Sequence, residues 1–364
     1  MIVPFNDLQT LHIANQKNFL KVLEELIVSS EFILGKMVNE FEQLFCSFTS
    51  AKYAVGVANG SDALRIAILS KKFPRNSSVL VAANTYFAAP AAIIHAGLKP
   101  IFFDVQIDTR FPLENDINSS ITENSVGIIK SHLFGAADTL KTRDLVEIHD
   151  CSQAHGTLIN ASHVGKGITS TFSFYPGKNL GALGDAGLIT TDSQEEFNEL
   201  LAWRNQGTMG DKYLHNIVGF NSRLDSIQAG LLAIKIKNLT VENHQRVLLA
   251  KRYEQNLTNQ IDEVKLFKIP DSVNSTFHLF QVYLEGEDVV EIQNKLTKKG
   301  ISTGRHYPIP LHLQPAFKSL GYGPGDFPNS EKLAKFSLTL PNFPSMTNLQ
   351  VDYVCDNLLE ILKT

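Results

Sequence analysis

The sequence predicts an α/β fold in which a mainly parallel, seven-stranded sheet forms a large domain and a smaller α+β domain follows at the C-terminal end. Two observations support this prediction. Between about residues 55 and 191, short apolar runs alternate with helical patterns, which is typical of a parallel sheet covered by helices on both faces. From about residue 262, a second and shorter alternation of apolar strands and helices begins.

Seven short apolar runs, bounded by turn-forming residues, supply the strands of the large sheet. They lie at residues 54–58, 79–83, 100–104, 126–131, 145–150, 170–175 and 186–190. Helices are expected between them at residues 62–69, 88–96 and around 138–143. Sheets of this kind bind ligands beyond the carboxyl ends of their strands, so the residues after each strand are candidates for a site.

Three helices are expected next, at residues 194–204, 224–237 and 240–260. The last is long and carries charges of both signs, which suits a helix that links two lobes. The small domain is expected to contain a strand near 278–285, a helix at 289–299, a strand at 301–306 and a terminal helix at 347–363. The predicted large domain therefore covers residues 1–239, and the linking helix with the small domain covers 240–364.

Composition excludes several classes of partner. The 364 residues include 37 acidic and 33 basic side chains with no long run of either sign, which argues against nucleic acid or an anionic membrane. Cys46, Cys151 and Cys355 are widely spaced and form no CxxC pattern, so a disulfide scaffold is not expected. No signal peptide is visible, and prolines and polar residues interrupt the most apolar stretch, 79–105. We expect a cytoplasmic enzyme.

Lys178 is the most informative single residue of the chain. It follows the strand predicted at 170–175, after Pro176 and Gly177, which stop that strand, and a glycine-rich loop comes after it. Schiff-base chemistry needs a partly desolvated amine with a lowered pKa, and a lysine held there by rigid backbone suits it. Most lysines are solvated surface residues, so a pyridoxal-phosphate (PLP) enzyme is predicted only if the rest of such a site is present.

The first further requirement is an acid at the pyridine nitrogen of PLP, because a protonated ring is the electron sink of the cofactor. Asp150 ends an apolar strand and suits this contact, although a turn or helix-capping aspartate is the alternative. Gln153 is placed to donate to the ring hydroxyl oxygen. His155 either supports Gln153 or is a packed core histidine.

The second requirement is a cup for the phosphate and a side chain that stacks on the ring. Gly60 lets the backbone approach an anion, and the amides of Ser61 and Asp62 open a helix, although an ordinary helix cap is the alternative. Ser173 can add a hydroxyl to that cup. Tyr86 lies just beyond another strand end, where it can stack on a ring or pack in the core.

Competing motifs are incomplete. The glycines after Lys178 do not form GxGxxG behind a strand, and the Gly-Lys pair lacks the spacing and the Ser or Thr of a P-loop. Cys151 and His155 have no second pair of ligands nearby, so no metal site is predicted.

Taken together, these segments resemble the DegT/DnrJ/StrS family of PLP-dependent nucleotide-sugar aminotransferases, which are fold type I enzymes. The resemblance runs nearly end to end. It rests on ILGKMVNEFEQLF (33–45), YAVGVANGSDAL (53–64), AANTYFAAPAAIIHAG (82–97), HDCSQAHG (149–156), SFYPGKNLGALGDAG (173–187), GFNSRLDSIQAG (219–230) and HYPIPLHLQPAF (306–317).

The resemblance implies a role for each candidate. Lys178 would form the Schiff base with the cofactor, and Asp150 would pair with its pyridine nitrogen. The other implied contacts are Gln153 to the ring hydroxyl, Ser61 and Ser173 beside Gly60 at the phosphate, and Tyr86 stacked on the ring. Asn221 would reach the phosphate bound by the neighbouring subunit, which implies a homodimer with shared active sites.

Segments 173–187 and 306–317 are similar to the branch that aminates C3 of a dTDP-linked 3-keto-6-deoxyhexose, with glutamate as amino donor. By this resemblance, Tyr175, His306 and Tyr307 would face the hexose, together with Lys212 from the partner subunit. Packing in a strand of the small domain is the alternative role for His306 and Tyr307.

Three other functions remain open from the sequence. One is amination at C4 of an NDP-4-keto-6-deoxyhexose. Another is a regulatory protein that binds PLP without turnover. The third is a nucleotide-sugar dehydrogenase or epimerase, which would bind a nicotinamide cofactor and carry no yellow chromophore.

Overall fold

The structure is a computed structural model that describes residues 1–142, 144–211, 213–258 and 260–363. Its strands are β1 (Tyr53–Val57), β2 (Ser78–Ala82), β3 (Lys99–Phe103), β4 (Ser125–Ser131), β5 (Val146–Asp150), β6 (Leu158–Ile159), β7 (Ser162–His163), β8 (Ser170–Ser173), β9 (Gly187–Thr191), β10 (Val264–Leu266), β11 (Val273–Asn274), β12 (Phe280–Leu284) and β13 (Ser337–Leu340).

Seven of these strands form one sheet in the order β1-β9-β8-β5-β4-β2-β3. The pairs from β3 through β2, β4 and β5 to β8 are parallel, whereas β9 runs antiparallel to both β8 and β1. The predicted mainly parallel, seven-stranded sheet is therefore confirmed, and each of its strands lies where the sequence predicted it to within two residues.

Helices cover both faces of this sheet and build the rest of the chain. They are α1 (Leu8–Ser29), α2 (Lys36–Thr49), α3 (Gly60–Ser70), α4 (Ala88–His95), α5 (Glu114–Asn118), α6 (Gln194–Arg204), α7 (Ser226–Lys235), α8 (Leu239–Leu257), α9 (Val289–Lys298), α10 (Pro328–Phe336) and α11 (Asn348–Leu362). One apolar cluster packs α3, α4 and α6 on one face, and another packs α2 and α7 on the other.

The helix expected around residues 138–143 is wrong. Residues 138–142 are irregular, and Arg143 lies outside the described residues. The Asp138 carboxylate accepts the N–H of Leu140 at 2.9 Å, and the buried Lys130 amine donates to the Leu140 carbonyl. Because buried side chains satisfy these backbone groups, the segment does not need a helical ladder.

The strand expected at 301–306 is also wrong. Ile301 and Gly304 make single bridges to Val3 and Thr339, and β13 is the third strand of the sheet β10-β12-β13. The chain then leaves the sheet edge, because the His306 carbonyl accepts from the Gln281 side chain at 3.1 Å instead of joining a ladder.

The small lobe has its own apolar core, built from α8, α9, α11 and the sheet β10-β12-β13. Val3 from the N-terminal segment belongs to this core. Leu311, Phe317 and Phe327 from the second half of the chain pack against the helices of the large sheet instead. Each lobe thus receives residues from both ends of the chain, while the domain boundary at 239 and 240 stays a prediction. Within the described ranges, no helix is long and apolar enough to cross a membrane.

Candidate active site

A cavity of about 870 Å³ lies at the carboxyl ends of the strands, between the large sheet and the small lobe. It brings together ten of the predicted site residues, and they are Gly60, Ser61, Tyr86, Asp150, Gln153, Ser173, Tyr175, Lys178, His306 and Tyr307. These residues come from distant segments of the chain. Gly60 and Tyr307, which are 247 positions apart in the sequence, both line the cavity.

Lys178 is held in place by the backbone around it. Its N–H donates to the carbonyl of Tyr175 at 2.8 Å, in a tight turn after β8. Gly181 is required in this loop because a Cβ there would lie 2.3 Å from the Pro176 oxygen. Burial lowers the pKa of the Lys178 amine to about 8, against the opposite effect of the Asp150 charge. A fraction of this amine is therefore neutral and nucleophilic near neutral pH.

Asp150 ends β5 in the middle of the sheet, between Ser131 of β4 and Thr171 of β8. Its carboxylate accepts the N–H of Ser152 at 3.1 Å. Burial raises the pKa of Asp150, while the bonds from Ser152 and the charge of Lys178 lower it. A buried carboxylate of this kind is stabilised by a cation, and a protonated pyridine nitrogen is such a partner.

Gln153 is oriented by two hydrogen bonds. Its Oε1 accepts the N–H of Phe134 at 2.8 Å, and its Nε2 donates to the Tyr307 hydroxyl, also at 2.8 Å. The ring of Tyr307 lies 5.6 Å from that of Tyr86. Gln153 thus links the strand-end residues to the sugar-facing candidates.

Gly60, Ser61 and Ser173 form a close-packed cradle at the start of α3. A Cβ on Gly60 would lie 2.5 Å from the Cβ of Ser173, so any larger residue would fill this space. The side chain of Asn59 caps the helix by accepting the N–H of Asp62 at 2.8 Å. The Asp62 amide is therefore occupied, whereas Ser61 lines the cavity at the helix N-terminus, which favours an anion.

The aromatic candidates lie at the rim and on the small-lobe side. Tyr86 and Tyr175 are 53% and 60% exposed, so neither is packed in the core. His306 stacks on Phe5 with ring centroids 5.8 Å apart, and its Nδ1 pairs with the Thr339 hydroxyl at 2.9 Å. Burial, and next the charge of Lys178, lower the pKa of His306 to about 4, so the ring is neutral at physiological pH.

Two predicted site residues are not in this cavity. Asn221 is exposed and lies outside it, where its backbone forms a bridge with Asn205. Lys212 lies outside the described residues. His155 is buried beside Phe172 and Phe174, and no hydrogen bond between described residues joins its ring to Gln153, so it is a packed core histidine and does not support Gln153.

Sequence reasoning missed part of the wall. Among the residues that it missed are Phe5, Asn6, His132, Arg246, His278 and Asn342. Phe5 and Asn6 precede α1, far from any strand end. Arg246 lies within α8, whose charges of both signs gave no signal for a buried position. Of these six, His132, which directly follows β4, could have been found from the strand-end rule.

The geometry fits pyridoxal phosphate. The wall combines an amine with a lowered pKa, a buried carboxylate that forms no salt bridge with any described residue, and a glycine-lined cradle at a helix N-terminus. These are the groups that a carbonyl, a pyridine nitrogen and a phosphate require. Within the described residues, no cluster of His, Cys, Asp and Glu is arranged to hold a metal ion.

Comparison with known proteins gives consistent results. The sequence model of the DegT/DnrJ/EryC1/StrS aminotransferase family matches residues 14–359. The chain is 36% identical over 372 residues to the pleiotropic regulatory protein of Geobacillus stearothermophilus, covering 100% of this chain and 99% of that one. It is 35% identical over 363 residues to dTDP-3-amino-3,6-dideoxy-alpha-D-galactopyranose transaminase of Aneurinibacillus thermoaerophilus, covering 98% of each chain. The crystal structure of DesV from S. venezuelae superposes with a TM-score of 0.94 at 30% identity, covering 100% of this chain and 99% of that one.

Proposed function

Because the chain belongs to the DegT/DnrJ/EryC1/StrS family of PLP-dependent sugar aminotransferases, we propose a specific reaction for it. The substrate is a dTDP-linked 3-keto-6-deoxyhexose, the amino donor is glutamate, and the product is the corresponding dTDP-3-amino-3,6-dideoxyhexose. The observation that carries this proposal is a sequence similarity. The chain is 35% identical, along 98% of its length, to the A. thermoaerophilus transaminase of a dTDP-3-amino-3,6-dideoxy sugar.

The sugar-facing side of the cavity supports a hydroxylated pyranose as substrate. We assign Tyr175, His306 and Tyr307 to the hexose because they line the same cavity as Lys178. Aromatic rings cover the apolar face of a pyranose, while phenol and imidazole groups bond its hydroxyls. The neutral His306 ring offers hydrogen bonds without repelling the Lys178 amine. Lys212 of the partner subunit is proposed to face the hexose together with them.

Each proposed cofactor contact has a distinct task. Bound PLP supplies the electron sink that stabilises negative charge at the reacting carbon. Asp150 holds the ring nitrogen in its protonated form by electrostatic attraction. Ser61 and Ser173 hold the phosphate against Gly60, Gln153 contacts the ring hydroxyl, and Tyr86 covers the ring.

Lys178 is the proposed acid and base of the reaction. Its amine, once free, takes the proton from the donor carbon that loses nitrogen and later returns a proton to the sugar carbon that gains it. The lowered pKa of this amine, about 8, lies near the operating pH, where a group can both accept and donate.

The direct test offers the purified protein glutamate and a panel of keto nucleotide-sugars made in situ, because 3-keto forms are labile. Amination of 3-keto substrates is expected. Conversion of 4-keto substrates alone would overturn the C3 assignment in favour of C4 amination. Borohydride reduction followed by peptide mapping should fix the cofactor to Lys178, which a nicotinamide-dependent dehydrogenase would not do.

A regulatory role without turnover is the second candidate function. The relative from G. stearothermophilus, which is named a pleiotropic regulatory protein and is 36% identical, favours it. The combination of Lys178 with Asp150 in one cavity favours catalysis. Glutamate separates the two, since an aminotransferase loses its yellow colour on adding the donor and a binding protein keeps it.

We also propose that the active unit is a homodimer with shared sites. Asn221 lies outside the cavity of its own chain, and the nearby Met209, Leu214 and Val218 are exposed apolar residues that a partner would cover. Mixing Lys178→Ala with Asn221→Ala chains tests this directly. If Asn221 serves the partner's site, mixed dimers regain one intact site and therefore activity. If it serves its own site, no activity returns.

A cytoplasmic location is proposed as well. Its support is that all three cysteines are free thiols, as expected in a reducing compartment.

A further inference from the structure

Arg246 is a buried arginine on the wall of the active-site cavity. It lies in the middle of α8 and is 4% exposed. One of its guanidinium nitrogens, Nη1, donates to the backbone carbonyl of Asn342. Burial lowers the pKa of Arg246 to about 10, so the side chain still carries its positive charge at neutral pH.

Unlike two other arginines of the chain, Arg246 forms no salt bridge with a described residue. Arg204 binds Glu42 at 2.6 Å, and Arg252, on the same helix as Arg246, binds Asp352 at 2.8 Å. Within the described ranges, no carboxylate lies within 4.0 Å of the Arg246 guanidinium, and its Nε is buried without a hydrogen bond. The charge of Glu242, one helical turn earlier on α8, raises the pKa of Arg246 but forms no salt bridge with it. Since an unpaired buried charge is costly, a partner anion is expected to enter from the cavity.

The free edge of the guanidinium has the shape of a carboxylate site. With Nη1 bound to Asn342, the edge formed by Nε and Nη2 has no partner among the described residues. This edge presents two parallel N–H groups, which is the arrangement that a carboxylate binds with both oxygens.

Side-chain bonds connect this site to the reacting lysine. Asn243, one helical turn before Arg246, accepts from the Asn179 side chain at 2.8 Å. His278 pairs with Asn179 at 2.9 Å and lines the same cavity. Asn179 directly follows Lys178, so Arg246 lies at the lysine end of the cavity. The phosphate cradle lies at the N-terminus of a different helix, α3.

From these contacts we propose that Arg246 binds a carboxylate of the amino-acid donor. The proposal rests on the proposed transamination with glutamate and adds the residue that selects the donor. The arginine binds the amino acid while its nitrogen is transferred, and it has no role toward the keto sugar, which carries no carboxylate.

The test measures the two half-reactions separately on the PLP-loaded protein. In Arg246→Gln, the concentration of L-glutamate needed for half-maximal loss of the cofactor absorbance should rise about 100-fold. The reverse half-reaction with the amino-sugar product should stay within about threefold of wild type. Arg246→Lys should recover part of the loss, since it keeps the charge without the fork. Arg252→Gln removes the same charge from the same helix and should leave both half-reactions unchanged.

A binding measurement gives a second readout without turnover. Glutarate, which has two carboxylates and no amine, should bind wild type in calorimetry and bind Arg246→Gln at least about tenfold more weakly. L-Glutamine in place of L-glutamate identifies the group bound. An equal loss with both donors assigns the carboxylate beside the amine, and a loss confined to glutamate assigns the side-chain carboxylate.

Several outcomes would overturn the proposal. An equal fall in both half-reactions would make Arg246 a structural residue of the whole site, and unchanged glutamate and glutarate responses would remove it from donor binding. A wild-type protein whose cofactor does not respond to glutamate would instead refute the proposed function. Thermal melting of Arg246→Lys, expected within a few degrees of wild type, separates misfolding from lost binding.

Discussion

The cavity has two walls that the chain builds in different ways. The strand-end wall consists of residues that close or follow strands of the large sheet, and they are Gly60, Ser61, Asp150, Gln153, Ser173 and Lys178. The small-lobe wall consists of Phe5, Arg246, His278, His306, Tyr307 and Asn342, which come from the N-terminal segment, a long helix and irregular chain.

Apart from Gln153, whose side-chain bonds reach Phe134 and Tyr307, the first wall is fixed by backbone bonds, whereas side-chain bonds fix the second. Asp150 lies between two paired strands, and the Lys178 loop is closed by backbone bonds. His306, in contrast, is held by the Thr339 hydroxyl and the Gln281 amide. With the roles proposed above, the strand-end wall carries the chemistry common to both substrates, whereas the small-lobe wall distinguishes one substrate from the other.

The largest loss is expected on the strand-end wall, in Lys178→Ala. Without the amine that moves the proton, turnover should fall by more than about 10⁴-fold with either substrate. Steady-state assays check this, and borohydride should no longer fix the cofactor to the chain. If this variant turned over at the wild-type rate, the Lys178 amine would not be the base of the reaction.

Asp150→Asn is expected to have the next largest effect. The amide keeps the shape and the bond from Ser152, but it loses the negative charge, so kcat should fall about 10²- to 10³-fold in both half-reactions. Because burial opposes the charge of Asp150, the melting temperature of the variant without cofactor should not fall. A loss in only one half-reaction would contradict a shared role of this wall.

The pH dependence of covalent PLP capture should follow the Lys178 amine, since only its neutral form attacks. With a pKa of about 8, the neutral fraction and hence the rate should rise about 50-fold from pH 6 to pH 8 and then level off. Stopped-flow absorbance measures this rate. Because the Asp150 charge raises the pKa of Lys178, Asp150→Asn should move the midpoint to lower pH. A midpoint near 10 would indicate a solvated lysine.

Gly60→Ala tests the cradle. The added Cβ would lie 2.5 Å from that of Ser173, and we expect PLP affinity to fall about tenfold, since overpacking costs about 1–3 kcal/mol. Fluorescence titration of the cofactor measures the change. In a Ser173→Gly background the clashing Cβ is absent. Gly60→Ala should therefore lower the PLP affinity less in that background than it does in the wild type. An equal loss of PLP affinity in both backgrounds would mean that the clash with Ser173 is not the cause.

The smallest effect is expected on the small-lobe wall. Thr339→Val removes the bond to the His306 ring and the acceptor of a bond from the Gln281 side chain, so the KM for the keto sugar should rise about fivefold, within the range of one hydrogen bond. The glutamate half-reaction should not change. Thr303→Val is a matched control, because its buried hydroxyl has no hydrogen-bond partner among the residues that the structure describes. An equal change in both half-reactions would erase the distinction between the two walls.

The same contrast explains what the sequence can predict. Asp150 and Lys178 were found because strand ends are visible as local apolar runs, and such ends meet at one edge of a sheet. The helices α1 and α2 carried a usable signal that was overlooked, since Phe19, Val22 and Leu26 repeat at helical spacing and are buried. Arg246 is different. Its guanidinium bonds the carbonyl of Asn342, which is nearly a hundred residues away, and no local sequence pattern predicts such a contact.

The pairing of Val3 with Ile301 has a consequence for the order of assembly during synthesis. The strands of the large sheet are all present once residue 191 has been made. Phe5 has no His306 to stack on until more than a hundred further residues have followed. A nascent chain can thus form the strand-end wall early, while closing the loop between its first residues and the small lobe carries the entropic cost of a very long loop. The residues that we assign to the sugar are therefore brought together last, after those that we assign to the cofactor.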